Sequence, residues 1–446
     1  MEMSKKDQAA VCRWVEDFMG GRITHCERQA RWRPAYFIDL ERKGEKIRLY
    51  FRGDRGVSDS TQYALEHEMA CLKVLSAQGI PVPQVFGFCP EPRGILMECS
   101  PGQADLSTAT TAEEQASVQR DYMRILAQIH DLDIQPFLDA GLDAPSEPER
   151  LALADLPLWE KAYRRGKSRP EPLIEFALAW LKRNVPPAAD SACFVCGDSG
   201  QFLFDGGRVT AVIDLELAHL GDPAEDLGAL RCRDLSEPLG DLRPALAAYE
   251  EFVGHSIDHF LVDYHTVRFA MTTPLATVPV LSRARPGVDL IQYLCWFHVY
   301  SRAPMEVIAQ TRGLELPLPP LPAGESNSRS PLYEDLSLRL APEAAEPGFE
   351  DYARQTAWRT AVYLERSNRY GPALEADSLA DINGLLGSQH GNIVQADTAL
   401  EAWIGKADAG ADDELVRLLH RRCVRQEVLL EPVLGEFTGA RIQRLD

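Results

Sequence analysis

The chain has no basic excess: its 446 residues carry 47 Lys and Arg against 67 Asp and Glu, a formal charge of −20. Nothing in it resembles a basic stripe able to neutralise phosphates, which argues against nucleic acid as a partner. The same acidity argues against an anionic membrane surface. Long apolar runs are also missing. Even residues 290–300 are broken by Gln292 and His298, short of the ~18 consecutive apolar residues a bilayer span requires. Residues 1–18 hold two early lysines but no apolar stretch of a secretory signal, so a cytoplasmic location is expected. Cysteine is modest, ten in all, and reduced thiols are expected there. Cys193 and Cys196 have C-x-x-C spacing, but they lie in an apolar run that reads as a buried strand. Positions i and i+3 of a strand face opposite sides, so a shared metal is disfavoured and two core thiols are expected.

What is present is an ordinary globular balance, 45% apolar and 26% charged. At roughly 150 residues per domain the length allows two or three domains. Residues 1–99 alternate short apolar runs with turns. Strands are expected at 35–40, 47–52, 84–88 and 95–99, and one helix at 61–77, where Leu65, Met69, Leu72 and Leu75 form an amphipathic stripe. Residues 100–313 read as mainly helical, with helices expected at 113–132, 172–184, 243–253 and 288–309. Pro-rich residues 314–332 read as a semi-rigid linker. Residues 333–446 read as a helical C-terminal domain, with helices expected at 348–368, 377–386, 395–404 and 412–430.

The most informative stretch is residues 194–231. Asp205-Gly206-Gly207 is a strong hairpin turn signal between two apolar runs. Centring the hairpin on Gly206 sets Gln201 opposite Ala211 and brings Asp198 near Asp214. Two carboxylates then converge at the open end of a short hairpin, an arrangement suited to hard cations and phosphates. In the first region Glu68 lies on the apolar stripe of its helix rather than on the solvated face. A carboxylate there needs a cationic partner, for which Arg52, ending a predicted strand, is the nearest candidate, unless Glu68 reaches solvent from the edge of the stripe. His219, His259, His265 and His298 show no mutual ligand spacing and read as structural. Trp296, Phe297 and Tyr300 read as core or a substrate wall. Ser199 has no histidine at triad-like placement, so a hydrolase is a poor reading.

The segment Cys196-Gly197-Asp198, Gln201, Ile213-Asp214-Leu215-Glu216 and Gly221-Asp222-Pro223-Ala224-Glu225-Asp226-Leu227 resembles the aminoglycoside phosphotransferase and choline kinase family, small-molecule relatives of protein kinases. The likeness covers about residues 15 to 310. Through Glu216-Leu217-Ala218-His219-Leu220-Gly221-Asp222-Pro223 it is nearest the branch associated with acyl-CoA dehydrogenases. It implies an α+β, two-lobed kinase-like fold: a small β-rich N-lobe, and a helical C-lobe with a catalytic hairpin, followed here by the C-terminal helical domain. It implies ATP and Mg²⁺ as cofactors and a small-molecule hydroxyl as acceptor. A hydroxyacyl-type acceptor is favoured over an aminoglycoside or amino alcohol.

Carried over by position, Asp198 is the expected catalytic base, with Asp214 and Gln201 as metal ligands and Asp226 as support for the loop. Arg52 and Glu68 would position phosphates, Gly20 and Gly21 would cover them, and Glu98 and Cys99 would meet adenine at the hinge. Three departures stand out. Cys196 replaces a histidine, the loop after Asp198 is two residues shorter than the family pattern, and Gln201 stands where that pattern has Asn. Two readings follow: a working kinase whose longer Gln201 restores the lost reach, or a catalytically impaired nucleotide-binding or scaffold protein.

Overall fold

The computed structural model describes residues 2–31, 33–55, 62–145, 148–187, 192–283, 287–342 and 348–445. The N-lobe starts with helix α1 (Glu2–Met19), for which the sequence pattern gave no expectation. Five antiparallel strands follow: β1 (Arg22–Arg28), β2 (Ala35–Arg42), β3 (Glu45–Gly53), β4 (Val85–Pro90) and β5 (Arg93–Glu98), in the order β1-β2-β3-β5-β4. The period-2 alternation of Tyr36, Ile38 and Leu40 on β2 and of Leu49 and Phe51 on β3 turns one face of the sheet toward Val11, Val15 and Met19 of α1. Helix α2 (Leu65–Ala77) begins four residues later than expected; Thr61 lies outside the described residues. Its buried face is Glu68, Cys71, Leu72 and Leu75; of the expected stripe Leu72 and Leu75 are buried, while Leu65 and Met69 are half-buried at its edge.

The C-lobe contains helices α3 (Ala112–His130), α4 (Gln135–Asp139), α5 (Pro148–Leu153), α6 (Leu156–Gly166) and α7 (Pro172–Arg183). Strand β6 (Cys193–Val195), the hairpin β7 (Phe202–Asp205) and β8 (Arg208–Val212), and strand β9 (His219–Gly221) come next. Helices α8 (Ala224–Arg233), α9 (Leu242–Val253), α10 (His259–Leu281) and α11 (Leu290–Thr311) complete the lobe. The hairpin register differs from the expectation. Leu203, not Gln201, faces Ala211, and a bulge lies between Leu203 and Phe204. The cause is the turn: both Gly206 (φ 55°) and Gly207 (φ 77°) are left-handed, so the loop has two residues rather than one central glycine. The buried Cys193 and Cys196 thiols are free.

The C-terminal helices are α12 (Ser330–Leu340), α13 (Phe349–Leu386), α14 (Ile393–Ile404) and α15 (Asp412–Leu430). Helix α12, unforeseen, starts inside the stretch read as linker. The two helices expected at 348–368 and 377–386 are one 38-residue helix that continues through Pro372. Proline removes one ladder hydrogen bond, and packing of Ala361, Leu374 and Ile382 at 2% exposure or less outweighs that local cost. Helices α13, α14 and α15 share one apolar core with α7, α10 and α11. Buried Arg302 of α11 pairs with Glu306 and, across this junction, with Glu427 of α15, and donates to Ala440 O at 2.7 Å. Among the described residues no helix is long and apolar enough to cross a membrane.

A second buried network braces the C-lobe beside the hairpin. Glu225 accepts from Arg268 (2.5 Å) and meets His219 Nε2 at 2.9 Å, while Arg268 also reaches Asp155 at 2.7 Å. Burial alone would lower His219, but Glu225 and Asp155 reverse this and raise it to about 9.

Two outcomes are expected. Because His219 is raised on folding, its stabilising contribution is complete below pH ~6.5 and is lost as pH rises through about 9. Urea midpoints measured from pH 6 to 10 should fall over that window, and the His219→Gln variant should lack that part of the fall. Glu427→Ala leaves Arg302 short of one buried partner and should cost about 2 kcal/mol, read as a lower urea midpoint for the whole chain.

Candidate functional site

Arg52 sits near the end of β3, opposite Ala35 on β2 and Ile95 on β5, and is only 5% exposed. An arginine so buried requires anions around it. Its Nε donates to Glu68 Oε2 on α2 at 2.9 Å, the pairing that the stripe argument anticipates. Its Nη2 reaches across the cleft to Asp214 Oδ1 and lies 3.4 Å from Glu216 Oε2. Glu216 also binds Arg33, from the β1–β2 loop, and Arg55 at 2.6 Å, just beyond β3. Three arginines of the N-lobe therefore meet Asp214 and Glu216 of the C-lobe, with Glu68 behind them. Burial would raise the Asp214 carboxyl, but Arg52 and Arg33 overcome it and hold the group well below the usual carboxylate range. Asp214 follows β8 in a left-handed conformation (φ 59°), which Asp tolerates better than most residues and which turns the chain at that point.

Asp198 lies in the tight loop between β6 and β7. Gly197 before it has φ 78°, and a Cβ there would lie 2.1 Å from Leu217 O, so only glycine fits. Asp226, near the start of α8, accepts from the amides of Cys196 (2.8 Å) and Gly197 (3.0 Å), so it shapes this loop rather than facing the cleft. His130 of α3 also contacts Asp226, at 3.0 Å, so an imidazole still lies beside the loop although Cys196 occupies the family's histidine position. Tyr122 OH accepts from Gly200 N at 2.7 Å and lies 2.8 Å from Ser199 Oγ. Held this way, Asp198 Oδ2 accepts from Gln201 Nε2 at 2.9 Å and from Arg233 of α8. Its Oδ1 is buried without a partner. Burial raises the Asp198 carboxyl, and the Arg233 guanidinium opposes that rise.

Arg52, Glu68, Glu98, Cys99, Asp198, Gln201 and Asp214 all line one cleft of about 1240 Å³. The hinge pair carries a restriction: the Glu98 amide donates to Gln84 O (2.8 Å) and the Cys99 amide to Arg48 O (3.1 Å). Neither N–H is open to a base. Gly20 and Gly21 are not part of the cleft. They form the turn between α1 and β1, where a Cβ on Gly21 would meet Glu41 O, and they stand at the far end of β1, ~20 Å of strand from the cleft. The segment over the cleft is instead the β1–β2 loop, whose Gln29 and Arg31 line it. At the other end Phe269, Thr272, Tyr293, Trp296 and Tyr300 of α10 and α11 form a largely aromatic wall, with Glu436 from the C-terminal region. Phe297 lies in the core instead.

Arg33, Arg55, Glu216 and Arg233 were not singled out from the sequence. Glu216 could have been: it is two residues past Asp214, on the same strand exit. Arg233 is seven residues past Asp226, two turns along one helix, but no local motif marks it. For a metal, Asp214 and Gln201 Oε1 offer hard oxygen donors, and among the described residues no cluster of three or more His, Cys, Asp or Glu has metal-holding geometry. So sparse an oxygen set fits Mg²⁺, which keeps several waters and shares itself with substrate phosphates, better than a fully protein-bound structural ion.

The chain is similar to mouse (Mus musculus) acyl-CoA dehydrogenase family member 10, 27% identical over 206 residues, which is 44% of this chain and 19% of that protein. It is equally 27% identical over 218 residues to rat (Rattus norvegicus) acyl-CoA dehydrogenase family member 11, covering 46% of this chain and 27% of that one. It thus spans about a quarter or less of these relatives' length. Among solved structures, spectinomycin phosphotransferase APH(9)-Ia, in complex with ADP and spectinomycin, aligns with TM-score 0.48 and 12% identity, over 65% of this chain and 93% of that one. The family model described as "Phosphotransferase enzyme family" (APH) matches residues 30–268, more than half of the chain and both sides of the Arg52–Asp214 contact, and the chain belongs to that family.

Proposed function

We propose that this protein is a cytoplasmic, ATP- and Mg²⁺-dependent phosphotransferase that phosphorylates a hydroxyl of a small molecule. The observation that carries the reading is the single cleft that Asp198, with an unpartnered carboxylate oxygen, shares with the Arg52–Asp214 pair. Phosphoryl transfer needs positioning and charge neutralisation more than covalent help from the protein. Asp198 Oδ1 accepts the hydrogen bond of the acceptor hydroxyl and orients it. The hydroxyl oxygen forms the new bond to the γ-phosphorus, and the bond from that phosphorus to the β–γ bridging oxygen breaks. Its electron pair leaves on ADP, and the hydroxyl proton passes to Asp198. Arg52, held by Glu68, offers its positive charge to the phosphates, with Arg33 and Arg55 beside it. Asp214 and Gln201 would hold Mg²⁺, which would supply charge neutralisation to the phosphates.

A hydroxyacyl-type acceptor is the finer proposal. It is supported by the aromatic wall at the α10–α11 end of the cleft and by the similarity to two acyl-CoA dehydrogenase family members. A second reading, a nucleotide-binding or scaffold protein with impaired catalysis, is favoured by the occupation of both carboxylates by arginines and by the short loop at Asp198.

In a thermal-shift titration, ATP with Mg²⁺ should raise the melting temperature more than ATP alone; no response to nucleotide would sink the enzyme reading. Asp198→Asn should lower the rate of ADP formation on the best acceptor by about 10²–10⁴-fold while the ATP-induced shift persists. Since Asp198 must be ionised and is held above the ordinary carboxylate pKa, activity should rise with pH along an acid limb displaced upward from ~4. Gln201→Ala retaining full Mg²⁺-dependent activity would remove Gln201 from the metal site.

A further inference from the structure

The ion pair between Asp198 and Arg233 leaves two polar atoms unsatisfied. Arg233 Nη2 is bonded to Asp198 Oδ2, and Nη1 lies 3.4 Å from Ser236 Oγ and 3.6 Å from Glu237. Arg233 Nε and Asp198 Oδ1 are both buried without a partner. One is a donor and the other an acceptor, they belong to two side chains already in contact, and both side chains line the cleft. A buried polar atom left unpaired is costly, and two complementary ones on a contacting pair of side chains describe the groups a ligand must bring.

The helix that carries Arg233 is also braced. Arg231, two residues before it on α8, donates through Nε to Gln443 O at 2.7 Å and through Nη2 to Gln310 at 2.5 Å. The Gln443 side chain donates to Asp234 (2.7 Å) and to Gly240 O (2.6 Å), so the C-terminal tail clamps both ends of the turn after α8, whose Ser236 and Glu237 line the cleft. A guanidinium mounted on a braced helix is preorganised to recognise a ligand rather than to swing.

We propose that Asp198 and Arg233 form a two-point reader of the acceptor, in which Asp198 Oδ1 takes the hydrogen bond of the reacting hydroxyl and Arg233 Nε donates to a second oxygen of the same molecule. This rests on the phosphotransferase reading for the identity of the reacting hydroxyl. It narrows the acceptor to a hydroxyl flanked by an oxygen acceptor, a diol or a hydroxy-carboxylate, on an apolar body that lies along Trp296 and Tyr300. An amino alcohol puts an ammonium against the guanidinium and is rejected by repulsion. Glu237 already faces Arg233, and Glu436 is exposed.

The test uses the full chain with AMP-PNP and Mg²⁺ and four probes of equal body: 1,2-hexanediol, 2-hydroxyhexanoate, 1-amino-2-hexanol and 2-hexanol. Ligand-observed NMR titrations give their affinities without turnover. The diol and the hydroxy acid should bind on the order of tenfold tighter than 2-hexanol, and the amino alcohol no tighter than 2-hexanol. Arg233→Lys keeps the charge beside Asp198 but loses the directed Nε donor, and should bring the preference to within about twofold. The preference is a ratio within one protein, so a general loss of stability does not imitate its collapse. A preference that survives in Arg233→Lys, a preference for the amino alcohol, or no binding of any probe overturns the proposal. ADP formation from ATP is measured in parallel. Discrimination in binding without turnover keeps the two-point reader and sinks the phosphotransferase reading, whereas turnover without discrimination does the reverse.

Discussion

The buried guanidinium of Arg52 is the constraint on which the site depends. A fully desolvated cation cannot stand alone, so the fold must bring carboxylates to it, and those it brings come from different elements. Glu68 arrives on α2 of the same lobe, and Asp214 arrives from the hairpin of the other. The two lobes are thereby registered by charge at the cleft, in addition to the apolar core that joins Leu72, Leu75 and Met97 to Phe194, Phe202 and Val212. Glu216 extends the same logic through Arg33 and Arg55. Such a cluster stabilises little for its own sake, because desolvation offsets much of the Coulombic gain. Its consequence is placement: three guanidiniums and the three carboxylates that balance them gather at one end of the cleft in a protein whose net charge is −20.

The loop that carries Asp198 solves a different problem. Between Asp198 and Gln201 there are only two residues, Ser199 and Gly200, so the loop cannot hold itself open with its own side chains. It is held from outside. Asp226 takes the amides of Cys196 and Gly197, and Tyr122 takes that of Gly200. Helix α8 supplies both Asp226 and Arg233, one below the loop and one at the carboxylate, and the C-terminal tail anchors that helix through Arg231. The C-terminal helices, which lie outside the family match at residues 30–268, thus bear on the site both through this tail and through the shared core around Arg302.

Several features are legible in the sequence because their signals are local. Asp205-Gly206-Gly207 allows one kind of turn, so the hairpin is readable, although its register is not. Two left-handed glycines and a bulge move the pairing by two residues. Glu68 is marked by its place on an apolar stripe, which depends only on helical period. The helix break expected near residue 370 does not occur because Pro372 lowers helix propensity locally, while burial of Leu374 and Ile382 decides the outcome over 38 residues. Gly20 and Gly21 mislead for the opposite reason. A glycine pair is locally distinctive, but which end of a strand it occupies relative to the cleft is a property of the sheet.

The order of amino acids alone singles out Asp198 and Asp214 at the open end of a hairpin and Arg52 with Glu68 as candidates, along with the two-lobed succession of elements around them. Periodicity and turn chemistry act over a few residues, and that is the range over which a sequence states its structure directly. The counter-ions come only with the closed fold: Arg33 for Glu216, 183 positions away, Arg52 for Asp214, 162 away, and Arg233 for Asp198. A charge is written in the chain one residue at a time. Its partner is chosen by which surfaces are buried together, and that is settled when the two lobes and the C-terminal helices close on one another.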